Sequence, residues 1–192
     1  MSGIVATREP SLARLKAPLP GEGAKNEAAR IAERLASLGR KRPVLVVLCG
    51  PSHSGKSTFA GALRGRFVVV NSDTVRQRRT GVTEPSQDEE AVWRTFEYLK
   101  RQALERGRNV VLDACHMSRE ARWHSLQGPS NGHRKVCVLF DLPWRVIRAR
   151  CRRTGRLPLA EARRMWRAFQ GAKPTPIGLL HEGYDEVHVV RE

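Results

Sequence analysis

The chain contains 192 residues, of which 40% are hydrophobic and 28% are charged, a balance typical of globular proteins rather than disordered or fibrous ones. No run of about 18 consecutive apolar residues occurs, which argues against a membrane-spanning helix, and the first residues lack the apolar core of a secretory signal. The four cysteines are widely spaced without a CxxC pair. We therefore expect neither a disulfide framework nor a zinc site. The cysteine pattern instead predicts a reduced, cytoplasmic setting.

The charge of the chain is strongly positive. Thirty-five Lys and Arg residues against nineteen Asp and Glu give a net charge of +16, which favours polyanionic partners. Between Arg145 and Arg167 lie nine arginines and a single acid, Glu161, so half of the excess charge falls in this segment. A general preference for surface arginine is the alternative explanation, but the clustering favours a functional patch.

Apolar runs alternate with helical periodicity along the chain, which predicts an α/β fold with a five-stranded parallel sheet flanked by helices. Residues 1–23 show no clear period and are expected to form a flexible tail, followed by a single domain over 24–192. The predicted strands are 44–48, 67–70, 110–112, 136–140 and 187–190. The predicted helices are 24–38 ending at Gly39, 58–64, one after a capping box at 86–89 and running to 107, 118–126 with Ser118 as cap, one from about 143, and 162–169.

A glycine-rich loop between the first strand and the next helix matches G-x-x-x-x-G-K-[ST]. This strand–loop–helix context is typical of a P-loop, whose backbone N–H groups surround nucleotide phosphates. Lys56 is expected to reach the β- and γ-phosphates of ATP or another NTP, and the Ser57 hydroxyl to bind Mg²⁺. The predicted nucleotide-binding residues are Gly50, Pro51, Ser52, His53, Ser54, Gly55, Lys56, Ser57 and Thr58.

Two aspartates end the second and third strands, where ligands gather in open α/β sheets. Asp73 is expected to accept the proton of an acceptor hydroxyl, with capping of the following helix as the alternative. Arg76, one helical turn later, is expected to bind a phosphate of the acceptor. Asp113 has the position of a Walker B aspartate, so it either binds Mg²⁺ through water or bonds to nearby backbone. His116 is more readily explained by a structural or solvent-facing role than by a contact with substrate.

A basic break at 152–158 has the position of a P-loop kinase lid. Arginines on a lid can neutralise the transferring phosphoryl group, and Arg150, Arg153 and Arg156 are the candidates. The chain also has four tryptophans, and core packing is expected for most of them, although one could stack on a base. They are Trp93, Trp123, Trp144 and Trp166.

The segments GPSHSGKST, NSDTVRQ, VVLDACHMSREAR and FDLPWRVIRARCRRTG, in this order, resemble the polynucleotide 5′-hydroxyl kinase family, and Glu182-Gly-Tyr-Asp185 resembles the end of such domains. The resemblance implies that Lys56 and Ser57 bind the nucleotide, that Asp73 is the general base and that Arg76 holds the acceptor phosphate. The lid arginine of the family falls on Thr154, flanked by Arg153 and Arg156. Cys115-His116 stands where the family has Thr-Asn.

The function expected from these features is ATP- and Mg²⁺-dependent phosphorylation of the 5′-hydroxyl ends of DNA or RNA. The DxDGT aspartates of a phosphatase are absent, so no 3′-phosphatase activity is expected. One alternative is a small-molecule or zeta-toxin-like kinase that acts on an antibiotic, sugar, nucleotide or peptidoglycan precursor. A second alternative, of another class, is an ATP-dependent nucleic-acid-binding regulatory module that does not transfer phosphate.

Overall fold

The computed structural model describes residues 15–16, 24–83, 88–130 and 132–192. Its centre is a parallel sheet with the strand order β1-β6-β5-β2-β4-β3. The strands are β1 (Leu15–Lys16), β2 (Val44–Cys49), β3 (Val68–Asn71), β4 (Val110–Asp113), β5 (Arg134–Phe140) and β6 (Glu186–Val190). The predicted five-stranded parallel sheet is confirmed as β2 to β6, and β1 adds a two-residue pairing at the β6 edge.

Eight helices connect and cover the described strands. They are α1 (Ala24–Lys41), α2 (Lys56–Ala62), α3 (Ser72–Thr80), α4 (Glu89–Glu105), α5 (Arg119–Leu126), α6 (Trp144–Thr154), α7 (Leu159–Ala172) and α8 (Pro176–His181). Each strand from β2 to β5 is followed by at least one helix, which is the alternation that the sequence periodicity predicted.

The core lies on both faces of the sheet, because the central strand β2 is apolar at every position. All six residues of β2 are fully buried. Leu45 and Val47 of β2 join a cluster with α4, α7 and α8, whereas Val46 and Leu48 join a cluster with α1 and α2. Alternate side chains of a strand point to opposite faces, so β2 is held from both sides, and the loop that follows it starts from a rigid support.

The prediction that Gly39 ends the first helix is wrong, because α1 continues to Lys41. Gly39 is small for a packing reason. The amide of Asn109 donates to the Gly39 carbonyl at 3.1 Å, and a Cβ on residue 39 would lie 2.5 Å from the same Asn109 nitrogen. The Asn109 carbonyl oxygen accepts from the Val44 N–H at 3.0 Å, so the glycine allows one side chain to join α1 to the start of β2.

The remaining element boundaries differ from the predictions by a few residues. Ser118 caps α5 as predicted, with its hydroxyl accepting from the Ala121 N–H at 3.1 Å. The predicted break at 152–158 is too long, since α6 continues through Thr154 and only 155–158 form the turn before α7. Helix α8 was not predicted. The capping-box residue Ser86 and most of the predicted tail lie outside the described residues.

In the part of the chain that the structure describes, no helix is both long and apolar enough to cross a membrane.

Candidate active site

The glycine-rich loop joins β2 to α2 and requires glycine at both ends. Gly55 adopts a left-handed conformation with φ of 102° immediately before α2. A Cβ on Gly50 would lie 3.0 Å from the Cβ of Phe140 and 3.2 Å from the Ser54 hydroxyl. His53 also has a positive φ, of 62°, which is uncommon for a residue with a side chain and typical of functional loops. The loop therefore has the tightly turned backbone that a phosphate-binding loop needs.

Two polar side chains lie within this loop in the manner expected for a phosphate site. Lys56 is buried, and its Nζ donates to the Pro51 carbonyl at 2.8 Å across the loop. The Ser54 hydroxyl is buried and has no hydrogen-bond partner among the described residues. A buried hydroxyl without a partner costs free energy, and a bound phosphate oxygen would supply that partner. The residues present thus fit a nucleoside triphosphate.

The candidate Mg²⁺ ligands lie on two neighbouring elements. Ser57 is exposed in the first turn of α2, and Asp113 is buried at the end of β4. Asn71 is aligned with Asp113 across the β3–β4 pair, and its amide donates to the Asp113 carboxylate at 2.6 Å. The described residues contain no group of three or more His, Cys, Asp or Glu side chains that could enclose a metal. A hydroxyl, one carboxylate, water and substrate phosphates are nevertheless a usual ligand set for Mg²⁺.

Asp73 and Arg76 form an ion pair at the start of α3, next to the carboxyl end of β3. The Asp73 side chain is 64% exposed, and its Oδ1 accepts from the Arg76 guanidinium at 3.0 Å. The capping role considered for Asp73 belongs to Asn71, whose Oδ1 accepts from the Thr74 N–H at 2.6 Å. The Asp73 carboxylate is therefore not used by the helix terminus and remains open to solvent on one side.

Arg76 is buried and makes more contacts than the sequence predicted. Its Nε and NH2 groups donate to the two carboxylate oxygens of Glu89 at 2.7 and 3.1 Å, and NH1 donates to the Thr83 carbonyl at 3.1 Å. The hydrogen bonds that Arg76 donates to Glu89, together with the negative charges of Glu89 and Asp73, raise the pKa of Arg76. Arg76 thus joins α3 to the first turn of α4 and fixes the position of the Asp73 carboxylate.

The predicted lid is a pair of helices, α6 and α7, which we call the arginine hairpin (residues 144–172). It leaves and rejoins the sheet at one place, because Trp166 donates to the Leu142 carbonyl at 3.0 Å and Lys173 forms an ion pair with Asp141 at 2.8 Å. Arg150 donates from NH1 to the Ser54 carbonyl at 2.7 Å and to the His53 carbonyl at 3.4 Å. The hairpin is therefore attached directly to the glycine-rich loop.

The end of α6 also contacts the loop. The Thr154 hydroxyl lies 3.4 Å from the His53 Nδ1. Burial, with the positive charges of Lys56 and Arg156, lowers the pKa of His53. Arg153 and Arg156 are exposed at the hairpin end, whereas Arg150 is half-buried against the loop backbone. The three candidate arginines consequently occupy two different environments.

The segment after β4 supports the start of the glycine-rich loop. The Gly50 N–H donates to the Cys115 carbonyl at 3.0 Å, and the Cys49 thiol donates to the His116 carbonyl at 3.3 Å. The His116 ring is buried against the Leu48 carbonyl at 2.8 Å, and burial lowers its pKa to about 4. His116 is therefore neutral at physiological pH, and its contacts agree with the structural role favoured by the sequence.

Sequence reasoning missed a buried ion pair next to this segment. Arg122 donates to both carboxylate oxygens of Glu182, each at 2.7 Å, and to the carbonyls of His116 and Met117 at 3.2 and 2.7 Å. The two charged residues are 60 positions apart, so no local pattern could have indicated their contact. Asn71 and Glu89 were missed as well, although Asn71 precedes the predicted Asp73 and is a common capping residue.

The prediction that most of the tryptophans pack in the core is wrong. Trp93 and Trp123 are 41% and 55% exposed, and Trp144 and Trp166 are half-buried with ring centroids 5.9 Å apart. The last two pack against each other at the base of the arginine hairpin. The four cysteines are free thiols, and burial raises the pKa of Cys49 to about 11.

The chain belongs to the AAA_33 family, described as an AAA domain, whose model matches residues 45–171. This match runs from β2 into α7 and includes the glycine-rich loop, Asp73, Asp113 and most of the arginine hairpin. Together with the sheet and the loop geometry, it establishes a P-loop kinase fold, which implies the use of a nucleotide. No curated protein is significantly similar to the chain in sequence.

Solved structures with a similar fold include several P-loop proteins. The structure of the Pnkp1/Rnl/Hen1 RNA repair complex is 26% identical with a TM-score of 0.60, over 69% of this chain and 45% of that chain. The PezAT chromosomal toxin–antitoxin system of Streptococcus pneumoniae is 17% identical, with a TM-score of 0.56 over 86% of this chain and 75% of that chain. Shikimate kinase from Acinetobacter baumannii is 20% identical, with a TM-score of 0.50 over 79% of this chain and 86% of that chain.

The resemblance to polynucleotide kinases noted in the sequence is confirmed by the family match and by the Pnkp1 complexes among the structural neighbours. The chain spans less than half the length of the chain that it matches in the first Pnkp1 complex. The other two structures are under 25% identical and support the fold alone. The fold therefore defines a P-loop phosphotransferase, and the residues of the site determine its acceptor.

Proposed function

We propose that the protein is a polynucleotide 5′-hydroxyl kinase that transfers the γ-phosphate of ATP to the 5′-hydroxyl end of DNA or RNA. The observation that carries this proposal is the Asp73–Arg76 pair. The pair presents an exposed carboxylate beside a guanidinium at the carboxyl edge of the sheet, where the glycine-rich loop also begins. A carboxylate can accept the hydroxyl proton, and a guanidinium can bind a phosphodiester next to that hydroxyl.

In the proposed reaction, the 5′-oxygen of the acceptor forms a bond to the γ-phosphorus of ATP. The bond between that phosphorus and the oxygen bridging to the β-phosphate breaks, and ADP leaves with the electron pair. Asp73 takes the proton of the 5′-hydroxyl. Lys56 and the loop amides hold the phosphates in line, and Arg153 or Arg156 at the hairpin end balances the charge of the transferring group. Mg²⁺ bound through Ser57 and Asp113 would neutralise charge on the β- and γ-phosphates.

The charge of the molecule supports a polyanionic acceptor. A net charge of +16 concentrates anions near the surface by long-range attraction, and a neutral metabolite gains nothing from it. The RNA repair complex that contains Pnkp1 is similar to this chain at 26% identity with a TM-score of 0.60, which favours a nucleic acid over a metabolite. We expect no 3′-phosphatase activity, because the sequence lacks a DxDGT motif.

The proposal is tested by transfer of labelled γ-phosphate to a 5′-hydroxyl oligonucleotide by wild type, Lys56→Ala and Asp73→Asn. We expect Asp73→Asn to lower kcat by about 100-fold or more while ATP still binds, the usual effect of removing a general base. Glu90→Gln is the matched control, because Glu90 is an exposed acid of α4 paired only with Arg94 among the described residues. Undiminished transfer by Asp73→Asn would contradict the role of Asp73. Hydrolysis of ATP by wild type without label on the oligonucleotide would instead favour an ATPase module.

A second candidate, a small-molecule kinase, is favoured by the contacts of Arg76. All three guanidinium nitrogens already donate to Asp73, Glu89 or Thr83, so little donor capacity is left for an acceptor phosphate. An acceptor without a phosphate would not need a hydrogen bond from Arg76. The same assay with a sugar, a nucleoside and a nucleotide-sugar as acceptors distinguishes the two, because a small-molecule kinase would label one of these and leave the oligonucleotide unlabelled.

A further inference from the structure

The outer side of the arginine hairpin is positively charged and unpaired. Eight of its nine arginines are exposed, and only Arg145 and Arg164 have an acidic partner among the described residues, Glu192 and Glu161. Six exposed arginines therefore face solvent without a counter-charge from the described chain. They are Arg148, Arg152, Arg153, Arg156, Arg163 and Arg167.

Four of these arginines lie away from the glycine-rich loop. Arg148 and Arg152 are each two residues from Arg150, which places them about 200° around α6 from the side that contacts the loop. Arg163 and Arg167 are one turn apart on α7. They lie on the part of that helix that faces away from the buried Ala162 and Phe169. We call these four residues the outer arginines. They are distinct from Arg150, which contacts the glycine-rich loop, and from Arg153 and Arg156, the candidates for contact with the transferring phosphate.

We propose that the outer arginines bind the phosphodiester backbone of the polynucleotide beyond its 5′ end. The inference rests on the proposed function and extends it from the reacting end to the body of the substrate. Like charges on one surface repel each other, and counter-ions must occupy that surface when no partner is bound. A strand with regularly spaced phosphates releases those ions when it binds, and arginine makes two parallel hydrogen bonds to a phosphate.

A nucleic acid fits this surface better than a membrane does. The large hydrophobic residues exposed in the described chain are Val82, Trp93, Tyr98, Leu99, Trp123 and Ile177, and none of them lies on the hairpin. A helix that binds a lipid surface needs apolar side chains to enter the bilayer in addition to its cations. The hairpin also contacts the glycine-rich loop through Arg150, so a strand on its outer side stays close to the reacting phosphate.

The test compares the quadruple variant R148Q/R152Q/R163Q/R167Q with the matched control R106Q/R108Q. Arg106 and Arg108 are exposed arginines without an acidic partner among the described residues, and they follow α4 at the amino-terminal edge of the sheet. The dissociation constant for a labelled 5′-hydroxyl oligonucleotide of about 20 nucleotides is measured by fluorescence anisotropy against salt concentration. Thermal melting of each variant reports whether the fold is retained.

We expect the quadruple variant to bind the oligonucleotide at least about tenfold more weakly, with the salt slope reduced by up to about 2.8 for four lost phosphate contacts. The control should leave the salt slope nearly unchanged, because Arg106 and Arg108 lie at the opposite edge of the sheet from the proposed strand. With a dinucleotide acceptor, kcat and KM of the quadruple variant should stay within about twofold of wild type, because the outer arginines lie beyond its reach. An unchanged slope in the quadruple variant, or an equal loss per arginine in the control, would overturn the proposal.

Two further arms separate the possible failures. If polyglutamate or anionic vesicles bind wild type as tightly as the oligonucleotide and respond equally to the variant, the surface is not one for nucleic acid and the proposal falls. If no acceptor is phosphorylated but the oligonucleotide still loses affinity through the outer arginines alone, the proposed kinase reaction fails and the binding surface stands. If the oligonucleotide is phosphorylated but the quadruple variant binds it as tightly as wild type does, the kinase reaction stands and the proposed binding surface fails.

Discussion

Arg150 joins the arginine hairpin to the glycine-rich loop through one side chain. Its guanidinium donates to the carbonyls of Ser54 and His53, and a Cβ on Gly55 would lie 3.1 Å from the same nitrogen. These contacts attach the backbone of the glycine-rich loop at His53 and Ser54 to α6. The sequence indicated Arg150 as a candidate for the transferring phosphate. Because its guanidinium donates to carbonyls of the loop, we infer instead that it is a positioning residue.

We therefore expect Arg150→Gln to weaken ATP binding rather than the chemical step. Loss of a charged hydrogen bond of about 1.5 to 3 kcal/mol corresponds to an increase of about 10- to 100-fold in the dissociation constant of ATP. Isothermal titration with a non-hydrolysable ATP analogue measures this change, with Arg148→Gln, on the opposite side of α6, as the control. A normal affinity combined with a large loss of kcat would instead assign Arg150 to the transferring phosphate.

The residue types of the site were predictable, but their partners were not. The motif spacing was sufficient to select Lys56 and Asp73, because loop and strand ends meet at one edge of a parallel sheet. The exposed state of Asp73 depends on Asn71, which caps α3 in its place. The contacts of Arg76 depend on Glu89, which is brought near only when α3 packs on α4. Such pairings are tertiary, and no local pattern encodes them.

At the scale of elements, the Arg122–Glu182 pair joins α5 to the residue that follows α8. It also fixes the segment after β4 through the carbonyls of His116 and Met117. Arg122 is 3% exposed and Glu182 12% exposed at the side chain, so each would be a desolvated charge without the other. Breaking such a pair by removing one partner is costly, because the remaining charge stays buried.

We expect Arg122→Leu to lower the free energy of unfolding by about 3 to 5 kcal/mol. The matched control is Arg101→Leu, which removes the exposed Arg101–Glu105 pair of α4 and should cost less than about 1 kcal/mol. Urea denaturation of the two variants beside wild type measures both values. Equal losses in the two variants would show that burial of the Arg122–Glu182 pair does not determine its contribution.

The elements that the sequence failed to predict share a physical cause. Helix α8 has six residues, and β1 has two, so neither contains enough turns or alternations to produce a period. Their existence depends on neighbours. Leu179 and Leu180 of α8 are buried against the sheet, and β1 pairs with β6. The long strands and helices, in contrast, carry their apolar patterns within their own sequences and were predicted to within a few residues.

At the scale of the whole molecule, Glu186 connects three elements through one buried carboxylate. It forms ion pairs with Arg34 of α1 at 3.0 Å and Arg134 of β5 at 2.9 Å, and its Oε1 lies 3.0 Å from the His188 Nε2 of β6. Burial alone would raise its pKa, but the contacts with His188 and Arg34 outweigh burial and lower the pKa to about 2. The carboxylate is consequently charged in the folded protein at all but very acidic pH.

This shift predicts an acid dependence of stability. Because the folded pKa is lower than the unfolded value of 4.5, the contribution of Glu186 is complete above pH 4.5 and is lost as the pH falls towards 2. Its size is on the order of 3 kcal/mol. We expect Glu186→Gln to be destabilised at pH 7, with the difference from wild type becoming smaller between pH 4.5 and 2. Urea denaturation across this range checks the prediction, and a pH-independent difference would contradict it.

The function proposed for the whole molecule is phosphorylation of the 5′-hydroxyl of a polynucleotide by its P-loop fold. The most direct measurement is the position of the label after incubation with γ-labelled ATP, Mg²⁺ and equal amounts of a 5′-hydroxyl oligonucleotide and the same oligonucleotide already carrying a 5′-phosphate. We expect label only on the first, and digestion to mononucleotides should release it as the labelled 5′-nucleotide of the terminal base. If neither oligonucleotide is labelled and the label is found in free phosphate or in a small-molecule acceptor, the result contradicts the proposed 5′-hydroxyl kinase activity.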